Sequence, residues 1–384
     1  MRNSYSAWVE IDLKALKRNL KSLKRLARQQ FKRPSAITGP FKCPQIMAVI
    51  KADAYGHGMV KVAQVLQKED VDFFGISNVH EAIQLRENKV TKPILLFETT
   101  LSTGIKEIVR HRLTPTVCTV EFARALNRAA KAAGRKVDIH VKVDTGMGRL
   151  GVPLRDAEEF VDRLRGLSYI RITGIYTHFP VADTDPGFTY QQITDLEHLL
   201  QKLDRKAKII AFGHAANSAG LVAYPSSLLN LVRTGISLYG LYPEQNLQEK
   251  ISLKPVMAVK ARIVFLKEMH KGEGVSYGRS FIAPRKMKVA TVAIGYGDGY
   301  FRALSNKAFV VVNGKRCPVI GRVTMDQIMV DVSKAGDVKI GGAVVIMGRE
   351  KGSEVSADEL ADWAGTINYE IVCNLGNRLP RLYK

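Results

Sequence analysis

Residues 46–58 read IMAVIKADAYGHG. Five consecutive apolar residues without polar alternation describe a strand buried on both faces, as parallel strands covered by helices must be. Lys51 marks the end of that strand, and the glycines at 56 and 58 mark a turn. The same unit recurs outward from this stretch. Apolar runs at 72–77 (DFFGIS), 93–97 (PILLF), 114–118 (TPTVC), 137–143 (VDIHVKV), 171–179 (RITGIYTHF), 208–213 (KIIAFG) and 228–240 (LLNLVRTGISLYG) complete a set of eight. Between them lie amphipathic stretches at 58–69, 78–88, 102–111, 119–134, 153–166 and 185–206. Eight strand–helix units in roughly 240 residues match the size of a (β/α)8 barrel. An open doubly wound sheet is the competitor, but no G-x-G-x-x-G follows the first strand. The fold class is therefore α/β, a (β/α)8 TIM-type barrel followed by a mostly β C-terminal domain.

Flanking segments fill in the organisation. Leu13, Leu16, Leu20, Leu23 and Ala27 recur at helical spacing, with Asp12 as N-cap, and a long loop follows from Gln29 to Pro44. Beyond about residue 250 short β-rich runs follow one another, with Asn313-Gly314 as a hairpin signal and Ser356 and Glu359 as a capping box. Only 356–364 reads as helical there. The opening run YSAWVEI alternates like a strand and is expected to pair with this second domain. The expected boundaries are a barrel over 12–248, and a discontinuous β domain of 1–11 and 249–384.

Composition narrows the class. The chain has 384 residues, with 58 Lys+Arg against 36 Asp+Glu and a formal net charge of +22. Its 46% hydrophobic content is that of a globular chain large enough to need no disulfide or metal staple. Four scattered cysteines, with no C-x-x-C pair, suit a reducing compartment and predict no metal site. With no apolar leader at the N-terminus and no long apolar run, the expectation is a cytoplasmic protein with no membrane partner. Nine of the basic residues fall within 14–33, without an acidic one. No helix-turn-helix, RNA-binding sheet motif or zinc finger accompanies them, so they read as a solvated helix face and not a nucleic-acid site.

Barrel active sites gather at the C-terminal ends of the strands, with phosphates held after the last two. Lys51 emerges there from an apolar strand, where a half-buried amine has a lowered pKa suited to Schiff-base chemistry. A lone lysine at a strand end more often snorkels; the whole octapeptide KADAYGHG, with Tyr55 and two glycines that permit close approach to a ligand, is more specific. HVKVDTGMGRLG (140–151) sets Lys142, Asp144 and Arg149 around glycines, which suits an anionic oxygen or merely a tight turn. His178 ends the sixth strand, as a functional group or a satisfied rim histidine. Asn217 and Ser218 open a helix, cradling an anion or serving as an ordinary cap. In the eighth strand Arg233 points into the mouth, and the amides of Gly235 and Ile236 are expected to be free for a phosphate. The second domain contributes GVSYGRSF (Tyr277), GYGDGY (Tyr296), RVTMDQ (Met325, Asp326) and TINYEIV (Tyr369). Tyrosines between glycines are commonly turn punctuation, yet several such segments in one domain suggest the rim of a pocket.

Taken together, KADAYGHG, KVDTGMGRLG, YTHF, HAANSA, RTGISLYG, GVSYGR, GYGDGY, RVTMDQ and NYEI, in that order between Ala7 and Arg378, resemble the alanine racemase family. Those are pyridoxal 5'-phosphate enzymes built from a barrel and a β domain. The resemblance implies interconversion of L- and D-alanine by two-base proton transfer, supplying D-alanine for peptidoglycan. It implies that Lys51 holds the cofactor and acts as one base. Tyr277 would be the opposite-face base, supplied by the partner subunit of a head-to-tail homodimer. Tyr55, Ser218, Gly235, Ile236 and Tyr369 match phosphate contacts, with Asn217 beside them. Arg233 matches the arginine facing the pyridine nitrogen, and His178 its neighbour that orients the catalytic tyrosine. Arg149 matches a contact to the cofactor phenolate oxygen and the substrate carboxylate, and Met325 a second carboxylate contact through its amide. Tyr296 and Tyr369 leave room for a small side chain, and Lys142 matches a lysine carbamylated in many members. A free tyrosine titrates near ~10, so a cationic Arg233–His178 pair is expected to favour its phenolate.

Asp53, Thr234 and Thr324 stand where the family often has Asn, Pro and Cys, which leaves breadth toward serine open. A barrel-type pyridoxal-phosphate decarboxylase of basic amino acids shares the architecture, but it uses an acidic residue where this chain has Arg233. The single-domain pyridoxal-phosphate-binding proteins lack a β domain to supply Tyr277.

Overall fold

The computed structural model describes residues 5–31, 43–207 and 210–384. Most of the Gln29–Pro44 loop and the first two residues of the 208–213 run therefore lie outside the described residues. Two compact units emerge: Leu16–Ala54 with Met59–Lys254, and Pro255–Lys384 with the N-terminal residues up to Ala15 and Tyr55–Gly58.

Strand β1 (Ala7–Ile11) precedes helix α1 (Leu13–Gln30). Asp12 Oδ1 accepts from the amides of Lys14 and Ala15, both at 2.9 Å, so the helix starts on a side-chain cap. Leu16, Leu20, Leu23 and Ala27 are buried along one face, as their spacing requires. On the flank of that face Lys17 meets Glu69 at 2.8 Å, and Lys24 donates to the carbonyls of Glu69 and Asp70. Part of the basic cluster thus serves to fasten this helix to the end of the next.

The barrel strands are β2 (Gln45–Val49), β3 (Phe73–Ile76), β4 (Ile94–Leu96), β5 (Thr114–Val117), β6 (Val137–Asp144), β7 (Ile170–Tyr176), β8 (Phe212–His214) and β9 (Leu231–Thr234). They pair in parallel in the order β9-β2-β3-β4-β5-β6-β7-β8. Across the remaining gap Asn230 N donates to Gly213 O at 3.3 Å and Arg233 N to Ala216 O at 3.0 Å. Met47, Phe73, Leu95 and Leu231 fill the interior, with Phe97 and Phe212 against them. The intervening helices are α2 (Met59–Lys68), α3 (Val79–Glu87), α4 (Ile105–Arg110), α5 (Val120–Ala132), α6 (Ala157–Arg165), α7 (Pro186–Ala207) and α8 (Ser218–Ala223).

The main sheet of the second unit contains β10 (Met257–Met269), β11 (Met287–Val292), β12 (Phe309–Val312), β13 (Lys315–Ile320), β14 (Ile328–Asp331), β15 (Ala343–Glu350), β16 (Ser353–Val355) and β17 (Arg381–Tyr383). The sheet order is β16-β15-β12-β13-β14-β11-β10-β1-β17. Strand β1 lies antiparallel to β10, with Val9 opposite Val259, and parallel to β17. Asn313 and Gly314 turn the β12–β13 hairpin with φ of 52° and 79°, the left-handed pair that a tight hairpin requires. Helix α9 (Ala357–Ala364) carries both halves of its capping box. A second helix, α10 (Asn368–Cys373), corrects the expectation of only one: NYEIVC is rich in strand formers, and tertiary context overrides that preference.

Asn19 anchors α1 within the barrel unit. Fully buried, it donates to Leu238 O and Lys254 O and accepts from Lys254 N at 2.9 Å. Asn19→Leu keeps the volume but strands three backbone groups, so urea unfolding is expected to show a loss of about 2–3 kcal/mol. An unchanged midpoint would contradict this role.

Candidate active site

Lys51 lies one residue, Ile50, beyond β2, and the chain then makes an unusual turn. Ala52, Asp53, Ala54 and Tyr55 have φ of 52°, 53°, 56° and 53°, a left-handed helical turn without a glycine. Each such residue costs about 1–2 kcal/mol, so the turn persists only where its surroundings hold it. Ala52 N donates to Glu81 Oε1 at 2.7 Å, and Ala54 N to Ile50 O at 2.9 Å. Asp53 Oδ1 accepts from Met59 N at 2.7 Å and so connects the turn to α2. The two glycines that follow allow close packing against the chain itself. A Cβ on Gly56 would collide with Val372 O, and one on Gly58 with the Tyr383 hydroxyl. Tyr55 is buried with its ring 6.2 Å from that of Tyr369, and burial pushes its phenol pKa up, with Tyr369 adding to the effect.

Arg233 lies inside the barrel unit on β9, almost completely buried. Nη1 donates to His214 O at 3.1 Å and lies 3.0 Å from His214 Nδ1. Nη2 donates to Thr177 O and Ala215 O, both at 2.8 Å, and lies 3.3 Å from His178 Nδ1. The Nε–H has no acceptor among the described residues. Burial lowers the guanidinium pKa to about 10, which leaves it a cation at neutral pH. Thr234, beside it, donates its hydroxyl to Met47 O at 3.3 Å, a backbone contact that proline could not make.

The basic groups converge. Burial first, then the charges of Arg233, Lys142, Arg149 and Lys51, hold His178 well below the usual imidazole range. His178 is therefore neutral, which corrects the expected cationic Arg233–His178 pair: the positive charge is the arginine's. Lys142, also buried, has its amine pulled down to about 8 by burial and by Arg233, with Asp144 partly offsetting. Its Nζ donates to Val143 O at 3.0 Å and lies 5.5 Å over the Tyr176 ring. Asp144 accepts from the amides of Gly146 and Gly148, shaping the turn that carries exposed Arg149.

Asn217 caps α8, accepting from Gly220 N at 2.8 Å. Ser218 Oγ accepts from Gly235 N at 3.0 Å, so the Gly235 amide is engaged and not free as expected. Ile236 begins a short 3-10 turn that runs to Tyr239. In the second unit Tyr277 is 70% exposed in a tight turn, whose Ser276 hydroxyl donates to Arg322 O at 2.6 Å. Exposed Tyr296 and Met325 adjoin, since Tyr296 N donates to Thr324 O and Gly297 N to Met325 O. Thr324 holds its own loop through its hydroxyl and Gln327 O at 2.8 Å.

His140, Tyr176 and His214 were not singled out from the sequence. Each lies in an apolar strand run, and a polar side chain at such a position was the one available signal. Among the described residues no helix is long and apolar enough to cross a membrane, and no cluster of three or more His, Cys, Asp or Glu is placed to hold a metal ion.

Lys142 supplies a pH test. Its folded pKa of about 8 lies below the ordinary 10.5, so the unfolded chain binds the proton more tightly between those values. Wild-type stability should thus rise with pH through that window relative to Lys142→Met. In carbonate-free buffer at pH 7 the variant is expected to be the more stable by about 1–3 kcal/mol, the gap closing toward pH 10. A gap that widens with pH would contradict the charge burial.

Comparison with known proteins agrees with this geometry. Residues 11–243 match the family described as alanine racemase, N-terminal domain, and residues 256–383 match alanine racemase, C-terminal domain. The alanine racemase of Halothermothrix orenii is 41% identical over 98% of this chain and 96% of its own length. That of Desulfosudis oleivorans is 40% identical over 99% of this chain and 97% of its own. A solved alanine racemase from Clostridium difficile 630 superposes with a TM-score of 0.90 at 37% identity, covering 99% of this chain and 96% of that one. On both its sequence and its fold, the chain belongs to the alanine racemase family.

Proposed function

We propose that the chain is a cytoplasmic alanine racemase, interconverting L- and D-alanine through two bases, Lys51 and Tyr277, with pyridoxal 5'-phosphate as cofactor. It works as a head-to-tail homodimer and supplies D-alanine for peptidoglycan. The observation that carries this reading is the pair of buried cations, Lys142 and Arg233, set over the Tyr176 ring with Arg233 against His178. Such a site suits a ligand with several anionic oxygens.

The residues present fit this cofactor. Arg233 keeps one N–H without an acceptor among the described residues, matching a ring nitrogen that can only accept. Lys51 offers a primary amine, and Ser218 with the Gly235–Ile236 segment would hold the phosphate, joined by Asn217, Tyr55 and Tyr369. Arg149 would meet the phenolate oxygen and the substrate carboxylate, with the Met325 amide on that carboxylate too. When bound, pyridoxal 5'-phosphate supplies a carbonyl carbon that captures amines and a ring that spreads the charge left at Cα.

Racemisation removes a proton from one face of Cα and returns one to the other, so it needs a group on each side. Tyr277 takes and returns the proton on the L face, Lys51 on the D face. In the isolated chain Tyr277 is largely exposed, which supports its use by a second copy. His178 has Nδ1 occupied by Arg233, a pure donor, so its hydrogen sits on Nε2. That N–H would steady the Tyr277 phenolate oxygen and so favour the basic form. Arg233 would donate to the ring nitrogen without readily giving up a proton, and so would leave that nitrogen unprotonated and discourage side reactions. Tyr296 and Tyr369 would limit the substrate to a small side chain, and Lys142, if carbamylated, would add an anion facing the arginines.

The test is a chiral assay on L-alanine and L-serine, with and without added cofactor, run in D2O. Lys51→Ala is expected to lose both activity and the visible absorbance of bound cofactor. Tyr277→Phe should lower racemisation about 10²–10⁴-fold and stop solvent exchange of the L-alanine α-hydrogen, while exchange of D-alanine persists through Lys51. Full activity and colour in Lys51→Ala would sink the reading, and CO2 release from ornithine, lysine or diaminopimelate would favour a decarboxylase.

A further inference from the structure

We propose that His140, which the mechanism above does not use, is a positioning residue for Arg233: it accepts a hydrogen bond from His214 and so locks the His214 tautomer on which the arginine rests. This deepens, and rests on, the reading of Arg233 as the contact to the cofactor ring nitrogen.

The direction of the chain follows from arginine having donors only. His214 Nδ1, 3.0 Å from Arg233 Nη1, must accept, so a neutral His214 carries its hydrogen on Nε2. That nitrogen lies 2.9 Å from His140 Nδ1, which must accept in turn, and the His140 hydrogen is left on Nε2. There the chain ends, since His140 Nε2 has no acceptor among the described residues. Both rings are completely buried. His140 sits with ring centroids 6.2 Å from Phe73 and 6.0 Å from Phe212, and a Cβ on Gly174 would come within 2.6 Å of it. His214 lies stacked on Tyr176, at 4.5 Å and 4° between planes. The Tyr176 hydroxyl is held at 2.6 Å by Thr116, whose own hydroxyl donates to Leu96 O.

Neither ring can escape this arrangement by taking up a proton or turning over. A hydrogen on His214 Nδ1 would set donor against donor at Arg233. Burial, then the arginine's charge, keeps both imidazoles neutral, His140 with a pKa of about 3. Without an acceptor at position 140 the His214 Nε2–H is stranded in an apolar interior. His214 can then relax only by moving away from the guanidinium it supports, which changes where the Arg233 Nε–H points.

The test uses holoenzyme labelled with 15N-histidine and long-range 1H–15N spectra, beside steady-state kinetics. Both His140 and His214 are expected as neutral Nε2–H tautomers. His140→Leu should lower kcat about tenfold or more, equivalent to about 1.4 kcal/mol, with KM for alanine little changed. It should also shift the visible absorbance of the bound cofactor, and His140→Gln, whose amide oxygen can accept, should recover most of the loss. An Nδ1–H tautomer at His214, or wild-type kcat in His140→Leu, overturns the proposal. Should His140→Leu not fold, the wild-type tautomers decide it. A silent His140→Leu beside an impaired Arg233→Lys removes only the relay; a silent Arg233→Lys removes the reading of Arg233 as well.

Discussion

The buried guanidinium of Arg233 is the interaction on which the rest of this site depends. Placing a cation inside a barrel is costly unless every donor that cannot reach a ligand finds a protein acceptor. Here three carbonyl oxygens and two imidazole nitrogens take that part. The carbonyls belong to Thr177, His214 and Ala215, at the ends of β7 and β8. The parallel register that sets Tyr176 opposite His214 therefore also builds the cradle for the arginine. Because arginine only donates, it dictates the tautomers of His178 and His214, and burial first, then its charge, keeps both neutral. One residue thus sets the electrostatics and the donor pattern of its surroundings.

A second constraint acts on the neighbouring strand, since β2 pairs with β9. Lys51 leaves β2 and the chain at once enters four left-handed residues. Strain of that size is tolerated because Glu81 and Asp53 hold the turn at fixed points. Glu81 also accepts from Ser77 N at 2.7 Å, tying the turn to the loop after β3. The lysine consequently leaves a rigid support, which is what the proton transfer proposed for it would require.

Much of this was legible in the sequence, for a definite reason. Strands buried on both faces appear as uninterrupted apolar runs, so the eight-fold repeat and the residues at its strand ends, Lys51, Lys142, His178 and Arg233, could be read directly. What escaped depends on contacts distant in sequence. Nothing in ADAY announces a left-handed turn, since the residues bracing it are Glu81 and Met59. Gly235 looked available until Ser218, 17 residues earlier, was found on its amide. The charge of His178 was misjudged because burial and four neighbouring cations outweigh its ordinary pKa. The basic cluster at 14–33 reads in the sequence as a solvated helix face, yet Lys17 and Lys24 in it are engaged by Glu69 and Asp70.

The central claim is that a buried arginine, a cation at neutral pH, would face the cofactor ring nitrogen and deny it a proton. Its most direct test is the 15N resonance of the pyridine nitrogen in enzyme loaded with 15N-labelled pyridoxal 5'-phosphate. An unprotonated nitrogen accepting a hydrogen bond near neutral pH is expected, with the resonance displaced in Arg233→Lys. A protonated pyridinium in the wild-type enzyme would contradict it.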